Sequence, residues 1–241
     1  MTVSVTSSIS ALYVQNYLNQ ARANLQRNQS QNASGAAINS GADNPAAISM
    51  IDQMQASDAS LAQQQTNDAI TAGGDQVASG ALSQENGLLD QGVTLSTEAA
   101  NGVLTPAQDS ALNLQYQSLL AEAGNIESAT GYNGSSVFAA GADSSSLDAL
   151  NGSLGSTDLS TPDAAQGALT ALDGAVSGVS QLAGSFGAQI NALNSSSSVA
   201  SAQQTETEGA LNAIQATNYA QSSMDLANNG ALYKSNFALL A

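Results

Sequence analysis

The residue types that usually carry catalysis or bind metals are almost missing from this chain. Its 241 residues include no His and no Cys, and only three are Lys or Arg. The sequence therefore offers no imidazole base, no thiol nucleophile and no zinc ligand set. Ser and Asp are abundant, but a Ser hydroxyl needs an adjacent base to become a nucleophile. The composition argues against an enzyme and predicts neither a cofactor nor a metal site.

Two further patterns with possible chemistry are weak. Gly73-Gly74 is not followed by a Lys at the distance that a phosphate-binding loop requires. Glu206 and Glu208 could bind a cation only loosely, since no other oxygen ligands converge at loop spacing. We therefore expect a structural or binding role.

The charge of the chain excludes several partners. The formal net charge is -16, from nineteen acidic and three basic residues. So few cations cannot neutralise phosphates, so we expect no nucleic acid partner and no binding to anionic membranes. The apolar runs are too short for membrane insertion, and no basic segment precedes a hydrophobic block at the N-terminus. If the protein is exported, we expect a route without a cleavable signal peptide.

The charge is also unevenly distributed. Residues 1–42 contain no acid, and Asp43 is the first acidic residue of the chain. Residues 174–205 carry no charge of either sign. An uncharged segment with a strong apolar period indicates a packing surface.

The longest apolar period predicts a coiled-coil helix over about 162–212. From Leu169 onward, apolar and small residues alternate at spacings of three and four, which is typical of a coiled-coil seam. The predicted seam consists of Leu172, Val176, Val179, Ala183, Phe186, Ile190 and Leu193, continued by Ser197, Ala200, Gln204, Thr207, Leu211 and Ile214.

Capping signals predict two more long helices. Thr105 and Gln108 form a capping box with Pro106 at the first helical position, so a helix is expected over about 106–130. Asn44 and Pro45 predict the start of another helix over about 44–100. The segment over about 139–161 is rich in Gly, Ser and Asp and is predicted to be a loop, with at most a small β-hairpin near residues 132–160.

These elements predict a mainly α fold in three parts. Residues 43–212 are expected to form an elongated rod of antiparallel coiled-coil helices. Residues 1–42 and 213–241 are expected to be amphipathic segments that cannot bury their apolar stripes alone. We predict that these ends fold when neighbouring copies cover them, through the subunit-interaction residues Ile9, Leu12, Val14, Leu18, Leu25, Leu226, Leu232, Phe237, Leu239 and Leu240.

Several segments resemble bacterial flagellin. "ASGAAINSGADNPAA" (33–47) is similar to the flagellin segment that joins the filament core to the outer rod. "TNDAITAGGDQVASGALSQENGLL" (66–89), "SLLAEAGNIESATGYNGSSVF" (118–138) and "TNYAQSSM" (217–224) resemble later flagellin motifs in the same order. The residues that match in the first segment are Ser34, Gly35, Ile38, Asn39, Ser40, Asp43 and Ala46.

The resemblance implies a structural subunit of the bacterial flagellar filament, used in motility and located outside the cell. Its main partner would be itself, in a helical homopolymer. The flagellar cap, junction proteins and an export chaperone would be further partners. Gly35, Asn39, Asp43 and Pro45 would form the joint between the N-terminal segment and the rod.

The sequence also departs from the flagellin pattern. "GAAIN" stands where the family has an Arg, and the C-terminal segment ends early at "FALLA". The positions that the Toll-like flagellin receptor reads in the family correspond to Gln91, Leu95 and Gln115. Two of these positions have lost their charge, so the resemblance implies weak activation of that receptor.

Two other functions stay open on the sequence alone. A hook–filament junction protein of the same superfamily would share both terminal segments but would form only a short ring. A monomeric secreted helical effector or adhesin would keep ordered ends without polymerising. The length of the assembled object separates the three hypotheses.

The acidic charge predicts how the proposed polymer responds to solution conditions. Repulsion between acidic rods should oppose assembly at neutral pH, so added salt or a lower pH should favour it. Light scattering of the purified chain across ionic strength and pH would measure this. Equally fast assembly at low salt and high pH would contradict it.

Overall fold

A computed structural model of the chain describes residues 2–138 and 142–240, with side-chain surroundings for Ile9, residues 11–138 and residues 145–238. The described residues form six α-helices and one two-stranded antiparallel sheet. In chain order these are α1 (Thr2–Ser34), α2 (Pro45–Ala100), α3 (Pro106–Ala129), β1 (Gly131–Tyr132), β2 (Ser135–Ser136), α4 (Ala142–Leu154), α5 (Pro162–Gln215) and α6 (Tyr219–Leu240). The predicted mainly α fold is confirmed.

The helices begin where the capping signals predicted. The Asn44 side chain accepts a hydrogen bond from the Ala47 amide at 3.1 Å, and Pro45 is the first residue of α2. The Gln108 side chain accepts a hydrogen bond from the Thr105 amide at 2.9 Å. Each contact gives a partner to an amide at a helix start, where the helix itself supplies none.

The small hairpin is also present, at residues 131–136. Tyr132 pairs with Ser135, and Asn133 and Gly134 form the turn between the strands with φ values of +51° and +82°. Positive φ at both central positions is the geometry that Asn-Gly adopts most readily. Local sequence therefore determines this hairpin.

The chain divides into two compact units. One contains the residues up to Gln63 and from Ser201 onward, and the other contains residues 64–200. α2 and α5 each contribute residues to both units. The three segments predicted from the sequence concern assembly, and their boundaries stay a prediction.

The core of residues 64–200 lies between antiparallel helices. Leu82 and Leu89 of α2, Tyr116 of α3, and Leu172 and Val179 of α5 are fully buried in it. Polar contacts between α2 and α5 show the antiparallel direction, because Gln64 donates to Ser196 while Asn86 donates to Ser180. The apolar stripe of each helix is thus covered by its neighbours.

The predicted seam of α5 is buried along its whole length, although to different degrees. From Ile190 to Ile214 the predicted positions are half-buried, apart from fully buried Ala200. Before Ile190 the buried face is wider, and four residues outside the predicted seam are also buried: Ala165, Ala168, Ala175 and Leu182. The wider face has additional partners, since Leu150 of α4 packs over Gly178 and Phe138 meets Phe186 edge-on at 6.2 Å.

The prediction of a loop over about 139–161 was wrong for much of its length. Residues 142–154 form α4, and Leu147 and Leu154 are buried in the core. The high Gly, Ser and Asp content hid an apolar stripe at Leu147, Leu150 and Leu154, which has helical spacing. Tertiary burial of these leucines outweighs the weak local propensity.

The residues after α4 are held against α3. The Tyr116 hydroxyl lies 2.6 Å from the Thr157 hydroxyl, and Gln117 donates to the Thr157 carbonyl at 2.9 Å. The Leu159 amide donates to the side chain of Asn113 at 3.0 Å, and Leu159 is buried. This segment is therefore part of the core and not a surface loop.

One acidic residue is buried in the same core. Glu85 of α2 is only 2% exposed. Burial, followed by the nearby Glu127 carboxylate, raises the pKa of Glu85 to about 7. Every Lys and Arg of the chain lies outside residues 64–200, so no cation of this unit can offset the cost of burying an ionised Glu85. Glu85 is therefore largely protonated in the folded state below neutral pH.

This buried acid predicts a pH-dependent stability. The pKa of Glu85 is above its ordinary value of 4.5, so the folded state binds the proton more tightly than the unfolded state. The contribution of protonated Glu85 to the free energy of unfolding is fully present below about pH 4.5. It is lost as the pH rises through 7, which lowers the free energy of unfolding by up to about 3 kcal/mol. We expect Glu85→Gln to remove most of this loss, measured by urea unfolding at pH 5 and pH 8.

Glu98→Gln is the matched control, because Glu98 lies on the same helix with an exposed side chain. It should keep the pH dependence of the parent chain. A Glu85→Gln variant as pH-sensitive as the Glu98→Gln variant would contradict the prediction.

Candidate functional site

The two terminal helices pack against each other. The Arg22 guanidinium of α1 lies 5.9 Å from the ring centre of Tyr233 of α6 and donates to its hydroxyl at 3.4 Å. At the other end of the pair, Gly35 lies next to the Tyr219 hydroxyl. α1 and α6 therefore run antiparallel. The sequence predicted ends that fold only on assembly, whereas here both ends are helical within one chain.

The contact between α1 and α6 uses only some of the predicted subunit-interaction residues. Val14, Leu18 and Leu25 are half-buried at helical spacing, in line with buried Ala21. Leu226 of α6 is half-buried as well. The structure thus places these four predicted residues on the inner face of the pair, where α1 and α6 cover each other.

The other predicted residues whose side chains are described are exposed. Leu12 is 64% exposed and Phe237 is 57% exposed, and Ile9 and Leu232 are similarly uncovered. Leu240 and Leu239 lie outside the described side chains. Four further apolar residues on these helices are exposed without having been predicted, namely Tyr13, Tyr17, Met224 and, beside the joint, Tyr219. Their spacing relative to the inner stripe could have revealed them.

The outer face of the terminal helices carries little charge. α1 contains no acid, and α6 contains Asp225 as its one acidic residue among those described. Large apolar side chains that are exposed on a protein surface can mark a contact with another molecule. A weakly charged apolar face can approach a second copy without strong electrostatic repulsion. We call Ile9, Leu12, Tyr13, Tyr17, Met224, Leu232 and Phe237 the outer face.

The predicted joint connects both ends of the chain. α1 stops at Gly35, whose φ of +75° is favourable only for Gly. Next to it, Ala36 pairs with Ala216 in an antiparallel bridge. The Ala37 amide donates to the Gln215 carbonyl at 2.6 Å, and the Thr217 amide donates to the Gly35 carbonyl at 3.1 Å. The sequence identified only the N-terminal side of this joint.

Asp43 holds the rest of the joint in place. Its carboxylate accepts hydrogen bonds from the amides of Asn39 at 3.2 Å and Ser40 at 3.0 Å, and from the Ser40 hydroxyl at 2.9 Å. Arg27 lies 3.5 Å from the same carboxylate. The Ser40 side chain, the Asn39 and Ser40 amides and Arg27 together lower the pKa of Asp43. Asp43 thus ties α1 to the turn that precedes Pro45.

A groove between α2 and α3 contains the three positions that correspond to the receptor contacts of the family. Gln91 and Leu95 come from α2, and Gln115 comes from α3. The groove has a volume of about 570 Å³, and exposed Leu114 lies at its edge. The structure brings the three residues together, while their role toward a receptor stays a prediction.

The described residues show no arrangement that suits metal binding or membrane insertion. Within residues 2–138 and 142–240, no three carboxylates converge as a metal site would require. No helix described in the structure has an apolar run long enough to cross a bilayer.

The joint predicts a specific effect of one substitution. Gly35→Ala would force a side chain into a positive φ, and the new methyl carbon would lie 2.8 Å from the Tyr219 hydroxyl oxygen. We expect the amides of Ala37 and Thr217 to lose protection from hydrogen exchange by about tenfold or more, because the strain costs roughly 1–2 kcal/mol.

Gly41→Ala is the matched control, since a methyl there would meet no atom within 4 Å. This variant should exchange like the parent chain. If Gly35→Ala protected both amides as well as Gly41→Ala does, the joint would not depend on Gly35.

Comparison with known proteins agrees with this geometry. The family model for the bacterial flagellin N-terminal helical region matches residues 5–143. This range includes most of α1, the N-terminal side of the joint, α2 and α3. The C-terminal motif "TNYAQSSM" (217–224) lies outside the matched range.

Flagellins from Vibrio are among the similar proteins. Polar flagellin C of Vibrio parahaemolyticus is 29% identical over 136 residues, which cover 56% of this chain and 35% of that protein. Flagellin A of Vibrio cholerae shows the same identity and coverage. The match thus spans about a third of the length of these relatives.

A solved structure supports the fold. The crystal structure of Bacillus cereus flagellin aligns with a TM-score of 0.50 and 24% sequence identity, covering 56% of this chain and 88% of that one. At this identity the likeness concerns the fold alone. Because the family model matches more than half of the chain, the protein belongs to the bacterial flagellin family.

Proposed function

We propose that this chain is a structural subunit that polymerises into a bacterial flagellar filament for motility. The observation that carries the proposal is the outer face of the α1–α6 pair, which is apolar, weakly charged and uncovered in the single chain. Membership of the flagellin family is consistent with this role. The chain itself is its main partner, and no catalytic role is proposed.

A contact through the outer face can generate an open polymer. The residues of the outer face come from both terminal helices. When one surface of a molecule binds a different surface of the next copy, the contact repeats and generates a helical filament unless the rotation closes. Burying each large apolar side chain would contribute about 1.5–3 kcal/mol.

The proposed location follows from the proposed role. A filament subunit acts outside the cell, so we propose an extracellular location. The flagellar cap, junction proteins and an export chaperone are the further partners in this proposal. The acid-free α1 suits a crowded inner layer of the polymer, whereas the acidic residues 64–200 suit a hydrated outside.

The outer face provides the direct test. We expect Leu12→Ser and Phe237→Ser each to raise the critical concentration for assembly by about tenfold or more, because each removes an apolar side chain from the contact. The helix content measured by circular dichroism should stay within a few per cent of the parent. Sedimentation and electron microscopy of the concentrated purified chain would measure assembly.

Val103→Ser is the matched control, because Val103 is an apolar residue in the turn between α2 and α3 that is even more exposed than Leu12 and Phe237. It should assemble like the parent chain. A parent chain that forms only short rings would favour a junction protein, and a chain that stays monomeric at every concentration would favour an effector or adhesin. Normal assembly by both outer-face variants would refute the proposed contact.

A further inference from the structure

The inner face of the α1–α6 pair changes from apolar to polar near the joint. Ala21 and Leu25 continue at the same helical spacing into Asn28 and Asn32. On α6, the first buried residue after the joint is Ser222. Positions that pack between two helices are normally apolar, because burying a polar group without a partner is unfavourable.

Several polar atoms near the joint are shielded from water without a hydrogen-bond partner. Asn28 is 9% exposed and Ser222 is 6% exposed. Within the described part of the chain, no partner lies within hydrogen-bond distance of four shielded atoms: Nδ2 of Asn28, Oδ1 of Asn32, Oγ1 of Thr217 and Oγ of Ser222. In an open chain, water would hydrate the same atoms, so closing the pair carries a desolvation cost.

The four residues lie at one end of the pair. Arg22 faces Tyr233 and Gly35 faces Tyr219, and the same antiparallel offset places Ser222 opposite Asn32. Asn28 lies one turn away from Asn32 on α1. Thr217 lies at the joint beside Gly35, to which it donates its amide hydrogen. We call Asn28, Asn32, Thr217 and Ser222 the polar layer.

The polar layer weakens the packing of α1 against α6 at the end of the pair that is next to the joint. A helix pair closes most easily from the end that is already tethered, and here the tether is the bridge between Ala36 and Ala216. Close to that bridge lie the shielded atoms of the polar layer, which lose water on closure without gaining hydrogen bonds. On α1, the apolar residues of the inner face, such as Leu25 and Ala21, lie further from the bridge.

We propose that the polar layer acts as a brake on self-assembly, which rests on the proposed filament function. The outer face contains residues of both α1 and α6, so a chain whose ends are apart does not present the complete face. By disfavouring closure of the pair, the layer lowers the fraction of free chains that can join a polymer. Neighbouring copies then supply the burial that keeps the pair closed.

Two substitutions release the brake in this proposal. Ser222→Ala removes a buried hydroxyl that has no partner, and Asn28→Leu extends the apolar stripe of α1. In the unassembled chain at low concentration, we expect amide exchange in α1 and α6 to slow by about fivefold or more. At higher concentration, we expect a shorter lag and a critical concentration lower by a similar factor, measured by light scattering.

Ser223→Ala is the matched control. Ser223 is the next residue on α6 and is exposed, so this variant gains the same helix propensity without touching the polar layer. It should exchange and assemble like the parent chain. Using two variants at different positions guards against a single substitution that disturbs packing.

Each result decides the proposal. The brake is supported if Ser222→Ala or Asn28→Leu assembles faster and exchanges its amide hydrogens more slowly than the parent chain. Ser223→Ala should show neither change. Unchanged exchange in both variants overturns it, since the layer then costs nothing. Slower exchange with unchanged assembly also overturns it, because the layer is then only structural. A parent chain that never polymerises refutes the filament function itself, while the exchange data still report the cost of the layer.

Discussion

The structure depends on narrow apolar stripes along its helices. A helix cannot cover its own stripe, so each stripe must be buried by a neighbouring helix. The chain has few aromatic residues, so its helices pack through Ala, Leu and Val at heptad spacing. Small side chains allow close approach, as at Gly92, where a side chain would meet Leu172 at 3.2 Å. Each stripe therefore needs a neighbouring helix to exclude water.

In residues 64–200 this requirement is met within one chain. α2 and α5 cover each other, and α3 and α4 cover the wider face of α5. In the terminal helices it is met only in part, because α1 and α6 each cover one side of the other. The uncovered outer face is the consequence of having two helices where a closed core would need more. That difference is the physical basis of the proposed polymer.

Charge follows the same division. All three basic residues lie in α1 and α6, whereas residues 64–200 contain acids alone. In this acidic unit a buried carboxylate such as Glu85 has no cation to pair with, so protonation is the way to reduce its cost. In the joint the opposite holds, since Arg27 and the Asn39 and Ser40 amides stabilise ionised Asp43. The surroundings of Glu85 thus favour a protonated carboxyl group, and those of Asp43 favour an ionised one.

Local sequence determined much of this protein. Asn44, Pro45 and Gln108 act within a few residues, so the helix starts were predictable from the sequence, and so was the Asn133-Gly134 turn. The seam of α5 was predictable for a related reason, because heptad spacing encodes a covered face whatever the covering partner is. The joint was found on its N-terminal side alone, since its residues are contiguous there.

Tertiary structure decided what depends on contacts between distant segments. α4 forms because Leu147 and Leu154 are buried in the core, which its polar composition concealed. Gln215 and Thr217 belong to the joint through backbone pairing, and backbone groups carry no sequence signal. The division of the terminal stripes into an inner and an outer face required knowing which helix lies opposite. Spacing fixes which residues share a face, but only the partner determines whether that face is covered.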